Sequence, residues 1–142
     1  MNQTYLNTTL ELIKTGHWLT DSVSRELKEY DIYEPQFNVL RILKGAKGIP
    51  LSVNTILDRM LQKSSNVTRI IDKLESKGLV KRTHCPKDRR KMDIVITLKG
   101  SDLLIILNKK VKRFHHSLEN NLNQKELETL YSLIIKFKGE EQ

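Results

Sequence analysis

Apolar residues recur at helical spacing through most of the chain. Leu10, Ile13, Leu19, Val23 and Leu27, with Leu12 and Trp18 beside them, predict a first helix over about 8–30. Pro35 suits the first turn of a second helix, where its missing N–H costs nothing; Phe37, Leu40 and Leu43 follow before "KGAKG" ends it. After a short extended piece at 49–51, Ser52 is placed to cap a third helix bearing Val53, Ile56, Leu57, Met60 and Leu61. A fourth helix, from about Ser64 to Gly78, carries Val67, Ile70, Ile71 and Leu74, with only "QKS" separating it from the third. Two short amphipathic helices joined so tightly have the form of a helix-turn-helix.

The period then changes. "LVKRTHC" and "KMDIVITL" read as two strands, the second with Met92, Ile94, Ile96 and Leu98 on one face, joined by "PKDRR" as a hairpin tip. Helical spacing returns with Thr97 as a cap and Leu104, Leu107, Val111, Phe114, Leu118 and Leu122 as a stripe. Asn123 and Glu126 then form a capping box for a last helix bearing Leu127, Leu130, Ile134 and Phe137. The fold class expected is mainly α with a small β wing (α+β), in one domain over 1–142: a winged helix-turn-helix lobe at 34–98, flanked by dimerisation helices at 5–31 and 99–138. The long stripes need a cover, and a two-fold contact is the commonest way to supply one. Leu10, Ile13, Leu107, Val111, Phe114, Leu118, Leu130 and Ile134 are the candidates for that contact.

Charge changes the picture because of where it sits. The net charge of +8 divides into −1 over residues 1–58, +8 over 59–99 and +1 over 100–142, so the helix-turn-helix and wing carry the whole excess. That is the footprint of a polyanion partner. Around the fourth helix the apolar side chains fall on one side, and Ser65, Arg69, Asp72 and Ser76 fall on the opposite side. Short polar residues let a helix approach the major groove closely, and Arg can bridge guanine O6 and N7. At the hairpin tip, arginine can enter a narrow minor groove, and Asp88 can hold a neighbouring guanidinium in place.

The remaining features exclude more than they add. One cysteine makes no internal disulfide, and no apolar run approaches a membrane span or a signal-peptide core, so a cytoplasmic protein, nucleoid-associated when bound to DNA and with no membrane partner, is expected. His84 and Cys85 would point to opposite faces of a strand, and His115 and His116 diverge on a helix, so no metal site and no cofactor are expected. Cys85 reads as an incidental thiol. No nucleotide-binding glycine loop, serine elbow or His-Glu-x-x-His motif argues for an enzyme. His17 and Trp18 are candidates for lining a ligand pocket.

The stretch from Ser64 to Gly100, with "VTR", "LESKGLV", "DRR" and "TLKG" in order, resembles the recognition helix, wing and following helix of the multiple antibiotic resistance regulator (MarR) family of bacterial transcription factors. The resemblance implies a homodimer on a palindromic double-stranded DNA operator, mostly acting as a repressor and often released by a small aromatic or amphipathic anion. Ser65, Asn66, Thr68 and Arg69 match the family's groove-facing positions, with Ser64 and Lys73 flanking them. Asp88 and Arg90 match its braced wing pair, and Arg89, between Lys87 and Lys91, matches the residue that enters the minor groove. Asn66 stands where threonine or serine is common, which bears on base preference. The peroxide sensors of the family carry their cysteine in the first helix, where this chain has none. The alternative is a winged-helix dimer that serves as a protein-interaction or assembly module without specific DNA readout.

Overall fold

The computed structural model describes residues 1–64 and 66–139. Its elements run α1 (Gln3–Leu27), a 3-10 turn (Lys28–Tyr30), α2 (Glu34–Gly45), β1 (Leu51–Ser52), α3 (Val53–Arg59), α4 (Val67–Ser76), β2 (Val80–Cys85), β3 (Asp88–Ile96), α5 (Leu98–Glu119) and α6 (Gln124–Lys138). The strands form one antiparallel sheet in the order β1-β3-β2. The chain separates into two compact units, 1–111 and 112–142, the division falling inside α5. Among the described residues no helix is long and apolar enough to cross a membrane.

Caps explain several boundaries. The first helix begins five residues earlier than its apolar pattern suggests, because the Asn2 side chain accepts from Thr4 N at 2.8 Å and Tyr5 N at 3.3 Å. It ends in the 3-10 turn, after which Asp31 turns the chain with a left-handed backbone (φ 53°). Ser52 caps α3 as expected, its Oγ accepting from Thr55 N at 3.1 Å. That helix stops at Arg59, short of the periodic pattern: Met60 is extended yet buried, and Leu61, expected on the apolar face, is 80% exposed. The reason lies in α2, where the buried Asn38 accepts from Leu61 N at 2.9 Å and so binds the backbone of the turn.

The fourth helix starts at Val67, three residues later than expected, and the turn before it is correspondingly longer. Gly78 stops this helix with φ 72°. Leu98, expected on the wing strand's apolar face, instead opens α5 and is exposed. Thr97 does cap that helix: its Oγ1 accepts from Gly100 N at 3.1 Å and donates to Gly78 O at 2.6 Å.

The core of the first unit is built from the predicted stripes. Leu27, Leu40, Leu43, Ile56, Ile71, Leu74, Ile94 and Leu107 are fully buried, each a contribution of roughly 1.5–3 kcal/mol from removal of apolar surface from water. Ile94 sits opposite Leu51, so the two-residue strand β1 stitches the start of α3 to the wing. In the second unit α6 is held at its start by the predicted box, Asn123 Oδ1 accepting from Glu126 N at 2.9 Å and Glu126 Oε2 from Asn123 N at 2.8 Å. None of its side chains is buried.

One buried acid carries a pH signature. Glu34, in the first turn of α2, is buried, and loss of hydration raises its pKa above the ordinary carboxylate value. The folded state therefore holds this proton to higher pH than the unfolded chain does. Its stabilising contribution is present below the ordinary glutamate range and is lost as pH rises through the raised value. Glu34→Gln should flatten that part of the stability profile, with a melting temperature at pH 7 equal to or above that of the parent. Thermal melts from pH 4 to pH 8 check this, and a variant that loses stability more steeply than the parent on raising the pH would contradict it.

Candidate nucleic-acid interface

The recognition helix separates its faces cleanly. Val67, Ile70, Ile71 and Leu74 are buried, while Thr68, Arg69, Asp72 and Lys73 are exposed. Asn66 precedes the helix and is exposed, and its N–H donates to Ser64 Oγ at 3.1 Å, so Ser64 shapes the entry to the helix. Ser65 lies outside the described residues. Arg69 and Lys73 have no ion-pair partner among the described residues, which leaves both cations available to a ligand. The predicted polar row is incomplete, however. Asp72 is engaged by Arg82 of β2, and Ser76 Oγ donates to Lys73 O at 2.7 Å.

The wing differs from the hairpin expected. Its turn is only Pro86 and Lys87, and Asp88, Arg89 and Arg90 already belong to β3. His84 pairs with Met92 and Cys85 with Asp88, so one step along β2 corresponds to four along β3, and Arg89, Arg90 and Lys91 fall in the irregularity. All three are exposed. Two hydrogen bonds hold this bulge: Arg90 N donates to Asp88 Oδ1 at 3.0 Å, and His84 Nδ1 donates to Arg89 O at 3.0 Å. Arg90 Nε lies 3.7 Å from the same Asp88 oxygen, while the Arg89 guanidinium has no ion pair among the described residues.

Recognition helix and wing meet in one open cleft of about 310 Å³, lined by Ser52, Val53, Asn54, Thr68, Arg90, Lys91 and Met92. Sequence patterning read Ser52 only as a cap and His84 only as a rejected metal ligand, and it passed over Asn54 and Arg82. None of these has a spacing signal, since β1 reaches the wing only through sheet pairing. Among the described residues no three His, Cys, Asp or Glu side chains gather as a metal site.

Several candidates for other roles stand elsewhere. Leu10, Ile13 and Leu130 are exposed, and Phe114, Leu118 and Ile134 are half-buried, so each retains surface for a partner. Leu107 and Val111 do not, because both are buried within the chain as part of its own core. His17 and Trp18 are exposed on α1. A cleft of about 300 Å³ lies about two turns further on, lined by Ser24, Arg25, Lys28, Asp31, Ile32 and Tyr33.

The wing bonds give opposed expectations for neighbouring residues. Arg89→Ala removes an exposed cation and should weaken DNA binding, with a shallower salt dependence and little change in melting temperature. Asp88→Ala raises the local positive charge yet releases the bulge, and binding should weaken because geometry outweighs the added charge. Affinity at two salt concentrations beside a thermal melt checks both, and tighter binding by Asp88→Ala at both salts would show that Asp88 only tempers charge.

A helix-turn-helix followed by a basic two-stranded wing, with the recognition helix and wing sharing one cleft, defines a winged helix-turn-helix protein. The MarR family model matches residues 32–92. The chain is 31% identical over 104 residues to the HTH-type transcriptional regulator MhqR of Bacillus subtilis (strain 168), covering 73% of this chain and 70% of that protein. It is 39% identical over 80 residues, 56% of this chain and 51% of the relative, to YkoM, an HTH-type transcriptional regulator of the same organism. The chain thus spans about half the length of several curated relatives it matches. The crystal structure of a MarR transcription factor from Planctomyces limnophilus superposes with a TM-score of 0.73 at 27% identity, covering 94% of this chain and 97% of the other. The chain belongs to the MarR family of winged helix-turn-helix regulators, whose fold supports DNA-binding transcriptional regulation.

Proposed function

We propose that this chain is a sequence-specific double-stranded DNA-binding transcriptional regulator, a homodimeric repressor on a palindromic operator that a small organic anion releases. The observation that carries the DNA reading is the cleft in which Thr68 of the recognition helix meets Arg90 and Lys91 of the wing, with the cations Arg69, Lys73 and Arg89, which have no ion pair among the described residues, on the same two elements. Thr68 and Arg69 serve base readout, Ser64 and Asn66 shape the approach of the helix, and Lys73, Lys87 and Lys91 meet phosphates. The dimer reading is supported by the exposed apolar side chains of α6, among them Leu130, Tyr131 and Leu133, and by Leu10 and Ile13 on α1.

The release reading draws on the cleft at the end of α1. It offers the cations Arg25 and Lys28 beside Ile32 and Tyr33, a combination suited to a small aromatic or amphipathic anion. Asp31 lines that cleft and pairs with Lys77, the cap of the recognition helix, at 3.2 Å. A ligand that binds there weakens DNA binding only by its preference for the DNA-free form, and operator DNA must weaken the ligand by the same factor.

Selection of bound sequences from random duplex DNA tests the reading. A two-fold symmetric consensus, bound with a steep salt dependence and well above the random background, is the expected result. Enrichment of no sequence would leave the assembly-module alternative. Titration of salicylate-like anions against the selected operator tests release, and an unchanged affinity across a broad panel would sink the effector.

A further inference from the structure

Arg82, on β2, gathers both acids of the recognition helix. Its backbone N–H donates to Glu75 Oε2 at 3.0 Å, its Nε lies 3.5 Å from Glu75 Oε1, and its Nη2 contacts Asp72 Oδ1. The guanidinium is only 19% exposed, whereas the two carboxylates lie toward solvent. Three contacts to residues one turn apart hold both the position of α4 against β2 and its rotation about its own axis, which a single contact would not do. β2 runs directly into the wing, so the same contacts relate the recognition helix to the wing.

The charge consequence is more specific. Asp72 is three residues beyond Arg69, the spacing at which a helix surface forms an ion pair. Among the described residues Arg69 nevertheless has no acidic partner, and Asp72 is turned to Arg82 instead. We propose that Arg82 is a positioning residue for DNA readout: by holding Asp72 and Glu75 it keeps Arg69 free of pairing within the helix and keeps two carboxylates away from the DNA phosphates. This inference rests on the DNA-binding reading above and deepens it. Arg82 itself makes no DNA contact in this account, because its guanidinium is already engaged and largely covered.

The test uses the full chain and an operator selected with it. Arg82→Ala should lower operator affinity by about tenfold, because like charges set against a polyanion are strongly unfavourable. The slope of affinity against salt should stay at the parent value, since no phosphate contact is lost. Asp72→Asn placed on top of Arg82→Ala should recover much of the affinity, and Arg82→Lys should keep most of it. A loss of slope by about one unit in Arg82→Ala would make Arg82 a phosphate contact and overturn the proposal. Failure of the double variant to recover affinity would overturn it in favour of a purely structural role. A DNA-free arm separates this inference from the DNA reading: the Arg69 Nε–H resonance should shift in Arg82→Ala and return in the double variant. An unmoved resonance sinks the inference whatever binds, while a shifted one beside a parent chain that binds no duplex sinks only the DNA reading. Should Arg82→Ala not fold, the same comparisons made on Arg82→Lys decide the matter, with full loss of affinity overturning the proposal.

Discussion

Gly100→Ala should lower the stability of the folded chain by roughly 3 kcal/mol, about 10 °C in melting temperature for a chain of this size. Gly100 lies in the first turn of α5, and a Cβ there would sit 2.1 Å from the carbonyl oxygen of Leu79 and 2.9 Å from Ile96 Cγ1. The first neighbour is backbone, and it is already engaged: Thr97 N donates to Leu79 O at 3.0 Å. Leu79 itself is buried, so the carbonyl cannot retreat without moving the core. Relief therefore requires separating α5 from the segment that leads into β2, and the Thr97 cap on Gly78 O breaks with it. Thermal and urea unfolding measure the loss. A melting temperature within 2 °C of the parent would show that the backbone yields at little cost.

Arg69→Ala should cost roughly 1–3 kcal/mol in operator binding, about five- to 150-fold in affinity, and should relax preference at one base position of each half-site. Arg69 is exposed on the face of α4 opposite Ile70, Ile71 and Leu74, so its removal leaves the core intact and the melting temperature close to the parent. Its guanidinium has no acidic partner among the described residues, so no internal ion pair must be broken before it reaches a base edge. Repeating the sequence selection with the variant distinguishes the two uses of an arginine. Uniform weakening with an unchanged consensus would assign Arg69 to a phosphate, and a lost preference at one position assigns it to a base.

Patterning alone determined a large share of this protein. The stripes at Val67, Ile70, Ile71 and Leu74 and at Leu104 and Leu107 are the buried stripes of α4 and α5, because helical spacing and burial are both local consequences of one periodicity. The caps at Ser52, Thr97 and Asn123 were legible for the same reason, each being a side chain that reaches a backbone N–H only three residues away. The concentration of charge over residues 59–99 and the order of motifs from Ser64 to Gly100 already pointed to a winged polyanion binder.

What escaped was decided by partners distant in the chain. The third helix stops early because Asn38, 23 residues before Leu61, takes its N–H. Val111 looked like dimer surface and is core, since a stripe records only that a face is covered and not by what. Asp72 looked like part of the groove-facing row until Arg82 was brought to it by the turn at Gly78. The bulge that presents Arg89, Arg90 and Lys91 depends on a strand register that His84 and Asp88 hold from opposite sides. For Leu61 and Asp72 the deciding term is a hydrogen bond or ion pair between residues that folding brings together, and for Val111 it is the identity of the surface that covers it; no periodicity in the sequence encodes either, so the tertiary structure sets which charges are left free.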